Sequence, residues 1–213
     1  HYKQLKSNRL VETVATLNKG TAGKRRDGTT RLGGTDEPKR RRRKRNRQTT
    51  KGDKLKTYIG IDNGTTGTVG IVTKDKADFF YMPTFKSQDY TKKKKIVTRI
   101  DGLALQDLLP NVESCLVVLE RPMVNPTMFN ATLSAVRAME ATLIVLEILQ
   151  MPYMFVDSKE WQKDMLPQGT KGRAELKKAS YDVGCRLFPQ FKDRYDGDAD
   201  GILIARWAQQ KGL

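Results

Sequence analysis

Acidic side chains stand beside three apolar segments of this sequence. Asp62 directly follows the apolar residues 58–61, and Glu120 directly follows the apolar residues 115–119. A carboxylate is disfavoured in a strand and costly to bury unless a partner compensates its charge. Taken alone, Asp62 could equally cap the Gly-rich turn that follows it. Three more acids precede the last apolar segment: Asp196, Asp198 and Asp200.

Helical spacing separates these last three acids, which stand together at the start of the last predicted helix. Asp196 and Asp200 are four residues apart and share a face, whereas Asp198 points away from both. The helix dipole accounts for one or two acids at a helix start, but less well for a third one beside a helix that must be buried. The spacing therefore selects Asp196 and Asp200 to join Asp62 and Glu120.

Carboxylates gathered without histidine or cysteine would repel one another, and a hard divalent cation, usually Mg²⁺, is their natural compensation. The only histidine is His1, so the body of the chain lacks the material for a His-based zinc site or a Ser-His-Asp triad. Cys115 and Cys185 have no metal-ligand spacing. Two metal ions held by shared carboxylates form the arrangement that cleaves phosphodiester bonds. The acids therefore predict a metal-dependent phosphodiesterase site.

The surrounding pattern predicts an α/β domain. Strands are expected at residues 58–61, 68–72, 77–85, 115–120 and 153–156, the first three as an antiparallel meander. Helices are expected at residues 101–109, 124–149, 157–166, 173–188 and from residue 195. If the fourth strand lies parallel to the first, Asp62 and Glu120 meet at the end of the sheet where open α/β sheets bind ligands.

The charge of the chain is concentrated at its beginning. Residues 1–56 carry 19 Lys and Arg against five acids, a net charge of +14, out of +16 for the whole chain. This segment lacks apolar periodicity and is predicted to be a disordered basic tail, either a transit-peptide remnant, a routing signal or a sequence-blind contact to nucleic acid. Residues 57–213 form the predicted compact domain. No apolar run is long enough for a membrane span, so no membrane partner is expected.

Three motifs in order, YIGIDNGTTG, CLVVLERP and DGDADGILIA, resemble those of the RuvC-type Holliday junction resolvases of the ribonuclease H-like superfamily. The segment ERPMVNPTMFNATLSAVRAMEATLIVLE is most similar to the plant plastid resolvases of this type. The resemblance covers residues 57–210. It implies a ribonuclease H-like α/β fold, with a mixed five-stranded sheet flanked by helices.

The resemblance also implies a homodimeric endonuclease that cuts four-way DNA junctions symmetrically, with Mg²⁺ or Mn²⁺ and no organic cofactor. Its metal ligands would be Asp62, Glu120, Asp196 and Asp200. RuvC enzymes commonly space the last two acids by three residues, and Gly197 occupies that position here, so the choice between Asp196 and Asp198 stays open. A plastid nucleoid is the implied compartment; the nucleus and a microbial cytoplasm are alternatives.

Family members use a lysine near the scissile phosphate. Lys178 fits this role by its distance from Asp196, and Lys171 is the other choice. The expected DNA-contacting residues are Arg121, Met128, Phe129, Lys171, Arg173 and Lys177. Core packing is the alternative role for Met128 and Phe129, and neutralisation of Glu120 is the alternative for Arg121.

The apolar excess of the helix over residues 130–149 favours a two-fold symmetric dimer, which matches a substrate with two symmetric cutting points. Two other functions remain open. One is a non-catalytic protein that binds junction DNA. The other is an actin-like sugar kinase or ATPase, whose first phosphate loop resembles the turn after Asp62. A kinase of that kind needs a second lobe, for which residues 57–213 leave little room.

Overall fold

A computed structural model describes residues 56–110 and 114–213 of the chain. The predicted basic tail, apart from its last residue Lys56, lies outside the described residues. The strands are β1 Thr57–Ile61, β2 Thr68–Val72, β3 Ala77–Tyr81, β4 Thr84–Gln88, β5 Ile96–Ile100, β6 Cys115–Glu120 and β7 Tyr153–Val156. The helices are α1 Gly102–Leu108, α2 Phe129–Ile148, α3 Ser158–Met165, α4 Arg173–Leu187 and α5 Asp200–Lys211. No helix in these two ranges is long and apolar enough to cross a membrane.

Five strands form a mixed sheet in the order β3-β2-β1-β6-β7. β1 and β2 pair antiparallel, as do β2 and β3, whereas β6 lies parallel to both β1 and β7. This arrangement confirms the predicted five-stranded sheet, with its meander and its two further parallel strands. It also places the carboxyl ends of β1 and β6 at the same end of the sheet.

Helices cover both faces of the sheet because its central strands are apolar on both sides. Ile59, Ile61 and Val117 point into a core with α1 and α2. Tyr58 and Val118, which alternate with them along the strands, point into a second core with α3, α4 and α5. The alternation follows from the two-residue period of a strand. The helices packed on both faces therefore fix the positions of the strand ends.

The predicted third strand over residues 77–85 is wrong in its length. β3 ends at Tyr81, and a separate strand, β4, begins at Thr84 and pairs antiparallel with β5. Pro83, which lies between them, has no N–H with which to continue a ladder. The β4–β5 hairpin was not predicted, because most of its residues are polar and exposed and carry no apolar strand pattern.

The long helix α2 begins at Phe129, after a 3₁₀ turn over Pro126–Met128. Asn125 accepts the capping hydrogen bond of the 3₁₀ turn from the N–H of Thr127, and Met128 stands at the start of α2. Buried residues of α2, such as Leu146, pack on the sheet. Part of its remaining surface is apolar and exposed: Val136, Ile144 and Ile148.

Three glycines allow α5 to lie directly on the sheet. A Cβ atom on Gly60 would be 2.2 Å from the carbonyl oxygen of Gly201, and one on Gly70 would be 2.2 Å from the Cα atom of Ile202. Gly201 itself has no room, because its Cβ atom would lie 2.5 Å from the carbonyl oxygen of Thr68. Gly60 and Gly70 are direct partners across β1 and β2. Backbone therefore contacts backbone where α5 crosses these two strands.

The substitution Gly60→Ala should destabilise the protein by about 1–3 kcal/mol, because the added methyl group must push α5 away from β1. Urea unfolding measures the change. Gly102→Ala is the matched control: its Cβ atom would make an ordinary contact, 3.4 Å from Val145 Cγ2. Equal unfolding midpoints for the two variants would contradict the close contact between α5 and the sheet.

Candidate metal centre

Asp62 lies at the carboxyl end of the fully buried strand β1. Its backbone N–H donates to the carbonyl oxygen of Thr68 at 3.0 Å, which closes the turn between β1 and β2. Gly67 is required in this turn, because a Cβ atom there would lie 2.0 Å from the carbonyl oxygen of Asp62. The tight turn thus fixes the backbone from which the Asp62 carboxylate projects.

Glu120 is the last residue of β6, and the neighbouring pair Ile61 and Leu119 is in register across β1 and β6. Asp62 and Glu120 therefore stand side by side at one sheet end, as the sequence predicted. The indole N–H of Trp161 donates to Glu120 Oε2 at 2.8 Å. Trp161, in α3, is fully buried, so it holds this carboxylate in one orientation.

The third acidic element is the segment that leads into α5. Asp198 Oδ1 accepts a hydrogen bond from the backbone N–H of Asp200 at 2.9 Å, and Asp200 is the first residue of the helix. The Ser180 hydroxyl, on α4, donates to Asp200 Oδ1. The next N–H, that of Gly201, donates to Thr68 Oγ1 at 2.9 Å. The start of α5 is thus tied to both α4 and β2.

Carboxylate oxygens of Asp62, Asp198 and Asp200 all lie within 4.8 Å of one another. Glu120 stands beside Asp62 at the same sheet end, and burial, together with the charges of Asp200 and Asp198, raises its pKa. This donor set fits a hard divalent cation, which prefers several carboxylate oxygens and needs neither histidine nor cysteine. These four residues could hold one or two such ions.

Burial and mutual repulsion raise the pKa values of the acids. Burial, followed by the charges of Asp198, Glu120 and Asp200, raises the pKa of Asp62 well above its ordinary value. Burial is also the first cause for Glu120, whose pKa rises to about 7, and for Asp200, whose pKa rises to about 6. Lys177 opposes the shift, since its charge lowers the pKa of Asp62 and of Asp200.

The prediction that Asp196 rather than Asp198 joins the acids is wrong, because it assumed that residue 196 is helical. α5 begins at Asp200, so residues 196–199 are not helical and the four-residue spacing does not place Asp196 beside Asp200. Asp196 is exposed, and its backbone N–H donates a hydrogen bond to the Tyr81 hydroxyl at 3.0 Å. The structure brings Asp198 into the carboxylate group instead.

The predicted catalytic lysine, Lys178, is not the lysine whose charge acts on the acids, which is Lys177. Lys178 lines a surface cleft of about 280 Å³, together with Glu175 and Asp182 on the same side of α4. Lys177 lies three residues before Ser180 and therefore shares its helical face, which points to Asp200. The effect of Lys177 on the pKa values of the acids agrees with this position. Lys171 is exposed in the loop before α4.

The other predicted DNA-contacting residues lie on the surface. Arg121 pairs with Asp157, 3.6 Å away, and does not neutralise Glu120 in an ion pair. Met128 and Phe129, 56% and 69% exposed, project at the start of α2 and are not core residues. Arg173 is exposed at the first position of α4.

A second set of contacts fixes the segment before the acids. The Arg194 guanidinium donates to the carbonyl oxygen of Phe79 on β3 and lies over the rings of Phe80 and Phe191, 5.8 and 5.5 Å from their centroids. The Tyr81 hydroxyl, at the end of β3, donates to the carbonyl oxygen of Arg194 while it accepts from the N–H of Asp196. These contacts anchor the chain immediately before Asp198.

Sequence reasoning missed Trp161, Ser180 and Tyr81 as residues that orient the site. Each acts through a partner far along the chain: Trp161 and Glu120 are 41 residues apart, and Ser180 and Asp200 are 20 apart. The sequence carried no local signal for these contacts. For Asp198, the signal was the three-acid cluster itself.

The fold is similar to that of bacterial RuvC. No known family profile matches the sequence, and no curated protein matches it. A structure of T. thermophilus RuvC in complex with a Holliday junction substrate has 13% sequence identity and a TM-score of 0.50, and covers 74% of this chain and 96% of RuvC. A second Thermus thermophilus RuvC structure, also 13% identical, covers 73% and 96% with a TM-score of 0.47. The first likeness shows the fold, a mixed five-stranded sheet flanked by helices as in RuvC and ribonuclease H-like proteins.

The raised pKa values predict that the metal-free protein loses stability as the pH rises from about 4 to about 7. Over this range the folded acids retain protons that the unfolded chain has released, so deprotonation favours unfolding. Asp62→Asn should therefore stabilise the metal-free protein at pH 7.5, by on the order of 1–3 kcal/mol. Thermal unfolding with a chelator measures both effects.

Asp196→Asn is the matched control for this experiment, since it removes one exposed charge outside the carboxylate group. Its melting temperature should stay close to that of the wild type. A melting curve of the wild-type protein that does not change between pH 5 and pH 7.5 would show that the acids are not under mutual repulsion.

Proposed function

We propose that this chain is a metal-dependent endonuclease that resolves four-way DNA junctions. The observation that carries the proposal is the convergence of the Asp62, Asp198 and Asp200 carboxylates within 4.8 Å. Glu120 completes the set at the same end of the sheet. A structure cannot hold so many acids together at neutral pH without compensation, and a bound cation supplies it.

In this proposal Asp62, Glu120, Asp198 and Asp200 hold Mg²⁺, and Mn²⁺ substitutes for it. When bound, the metal supplies activation of the attacking water and stabilisation of the charge on the phosphate oxygens. Two side chains outside this set keep two of the ligands in position. Ser180 orients Asp200, and Trp161 orients Glu120.

Lys177 is the proposed lysine of the site. It stands on the face of α4 that points to Asp200, and its charge acts on Asp62 and Asp200. An ammonium group at this place attracts the phosphate of the substrate and stabilises the negative charge that develops during cleavage. Lys178, on the neighbouring face, is the natural comparison.

The choice of a four-way junction is supported by the fold, since the similar RuvC structure holds a Holliday junction substrate. The positive charge of the chain, +16 overall, favours a polyanionic partner. The compartment and the specific likeness to the plant plastid resolvases remain predictions from the sequence.

A homodimer is the proposed assembly. Ile144 and Ile148, one helical turn apart, are 48% and 65% exposed on α2. An apolar helical surface of this kind is suited to an isologous contact, in which the same surface of each subunit faces the other. Two subunits related by a two-fold axis would present two metal sites to the two cutting points of a junction.

Incubation with a synthetic four-way junction and a matched linear duplex tests the function. In Mg²⁺ the protein should introduce paired nicks in opposing strands of the junction, with little cutting of the duplex and none in the presence of a chelator. Sedimentation with the junction should show two chains on one DNA. A protein that binds the junction without cutting it in Mg²⁺ or Mn²⁺ would support the non-catalytic alternative.

Two aspartate variants are the internal controls of this assay. Asp198→Asn should lower the single-turnover rate at least about a hundred-fold, the usual loss when one charge-stabilising group is removed, while junction binding persists. Asp196→Asn should cut at close to the wild-type rate, because Asp196 is exposed outside the carboxylate group. The reverse pattern would return the ligand role to Asp196.

Lys177→Ala should slow cleavage about ten- to a hundred-fold at saturating DNA, whereas Lys178→Ala should change it less than about two-fold. The two residues are adjacent and equally charged, so differences in net charge and in helix propensity cancel. Single-turnover rates measure chemistry separately from binding. A larger loss for Lys178→Ala would restore the assignment made from the sequence.

A further inference from the structure

The β4–β5 hairpin carries a dense positive charge that the proposed metal site does not use. Its turn contains four consecutive lysines, Lys92 to Lys95, and all four are exposed. Within the part of the chain that the structure describes, ion pairs form only between Arg121 and Asp157 and between Lys211 and Asp164. No described carboxylate therefore neutralises these lysines. We call β4, residues 89–95 and β5 the lysine hairpin.

The turn of the lysine hairpin has a defined shape. Asp89 Oδ1 accepts from the N–H of Thr91 at 3.2 Å, from the Thr91 hydroxyl at 2.7 Å and from the N–H of Lys95 at 3.0 Å. The N–H of Asp89 donates to the carbonyl oxygen of Lys95 at 2.8 Å. The only acid of the turn is thus occupied with backbone and hydroxyl groups, and the lysine side chains project from a fixed loop.

The base of the hairpin is attached to the end of the sheet that holds the acids. Tyr81 at the end of β3 pairs with Thr68, which follows the Asp62 turn. The N–H of Met82 then donates to the carbonyl oxygen of Gly67 in that turn, at 2.9 Å. The hairpin begins two residues later, with Thr84 paired to Ile100. The lysine hairpin therefore begins at the end of the sheet where the acids of the proposed metal site lie.

The hairpin turn also lies beside α2. The guanidinium of Arg137 lies over the ring of Tyr90 in the turn, 5.8 Å from its centroid. Arg137 is exposed and adds a fifth cation to the lysine cluster. With about 3.3 Å per strand residue, the turn is on the order of 16 Å from the hairpin base, a length that spans about five nucleotides of one DNA strand.

We propose that the lysine hairpin, together with Arg137, binds the phosphate backbone of one duplex arm, several nucleotides from the cleaved bond. The proposal rests on the proposed function, which brings DNA to the acids at the base of the hairpin. Lysine ammonium groups form phosphate contacts that are independent of sequence, and duplex DNA offers a negative charge every 1.7 Å or so along its axis. The surface therefore suits a DNA arm of any sequence.

The test compares two double variants of the full chain in junction binding without Mg²⁺. Lys92→Ala/Lys93→Ala removes two charges from the turn and leaves Lys94, whose φ is +45°, unchanged. Lys74→Ala/Lys76→Ala is the matched control. These two exposed lysines lie in the β2–β3 turn at the opposite end of the sheet. The basic residues before Lys56 are the same in both proteins, so their contribution cancels.

The hairpin variant should show a smaller salt dependence of binding. Each lost phosphate contact lowers the slope of log K against log salt by about 0.9, so between 50 and 200 mM salt the wild type should lose about ten-fold more affinity than this variant. The control and the charge-preserving Lys92→Arg/Lys93→Arg should retain the wild-type slope. Equal slopes for the two alanine variants would overturn the proposal.

Neutral methylphosphonate linkages provide a second, position-specific measurement. Placed about four to seven nucleotides from the cleaved bond, they should weaken binding by the wild type but hardly weaken binding by the hairpin variant further. Additive losses would show that the lysines contact other phosphates or none. Binding slopes are measured without catalysis, so a protein whose slope changes in this way but which never cuts would refute the proposed function and still support phosphate binding by the lysine hairpin.

Discussion

The direct contact between α5 and the two central strands is the constraint on which the site depends. With no side chain at Gly60, Gly70 and Gly201, the helix backbone lies against the backbone of β1 and β2. The same contact brings the first residue of α5, Asp200, next to the end of β1, where Asp62 stands. A helix held one side-chain layer further out would separate these carboxylates by several ångströms. The close approach of α5 to the sheet therefore positions the acids as well as packing the core.

The acids in turn oppose the packing that brings them together. Burial raises the pKa values of Asp62, Glu120 and Asp200, and their neighbours' charges add to the shift. The surrounding contacts hold them nonetheless: Trp161 fixes Glu120, Ser180 fixes Asp200, and a hydrogen bond to Asp198 closes the start of the helix. These contacts fix the orientation of the carboxylates from outside the site, as a preorganised metal site requires.

The sequence predicted the parts of this structure that local patterns control. β1 and β6 are apolar strands with an acid at the end, so Asp62 and Glu120 could be placed together from the parallel pairing alone. Asp198 could not be chosen over Asp196, because the choice depends on the residue at which α5 begins, and helix boundaries are set by tertiary contacts as well as by propensity. Trp161 acts through a partner far along the chain. The β4–β5 hairpin escaped prediction because its strands are mostly exposed and lack apolar alternation.

The contacts of Arg194 and Tyr81 have a consequence for association between molecules. β3 is an edge strand of the five-stranded sheet, and an open edge invites a strand from another chain. Arg194 donates to the carbonyl oxygen of Phe79, so this backbone acceptor on β3 is already occupied. Strand addition at β3 would have to break this contact and displace the segment that leads to Asp198. The contacts that anchor the acidic segment thus also oppose the pairing of a foreign strand with β3.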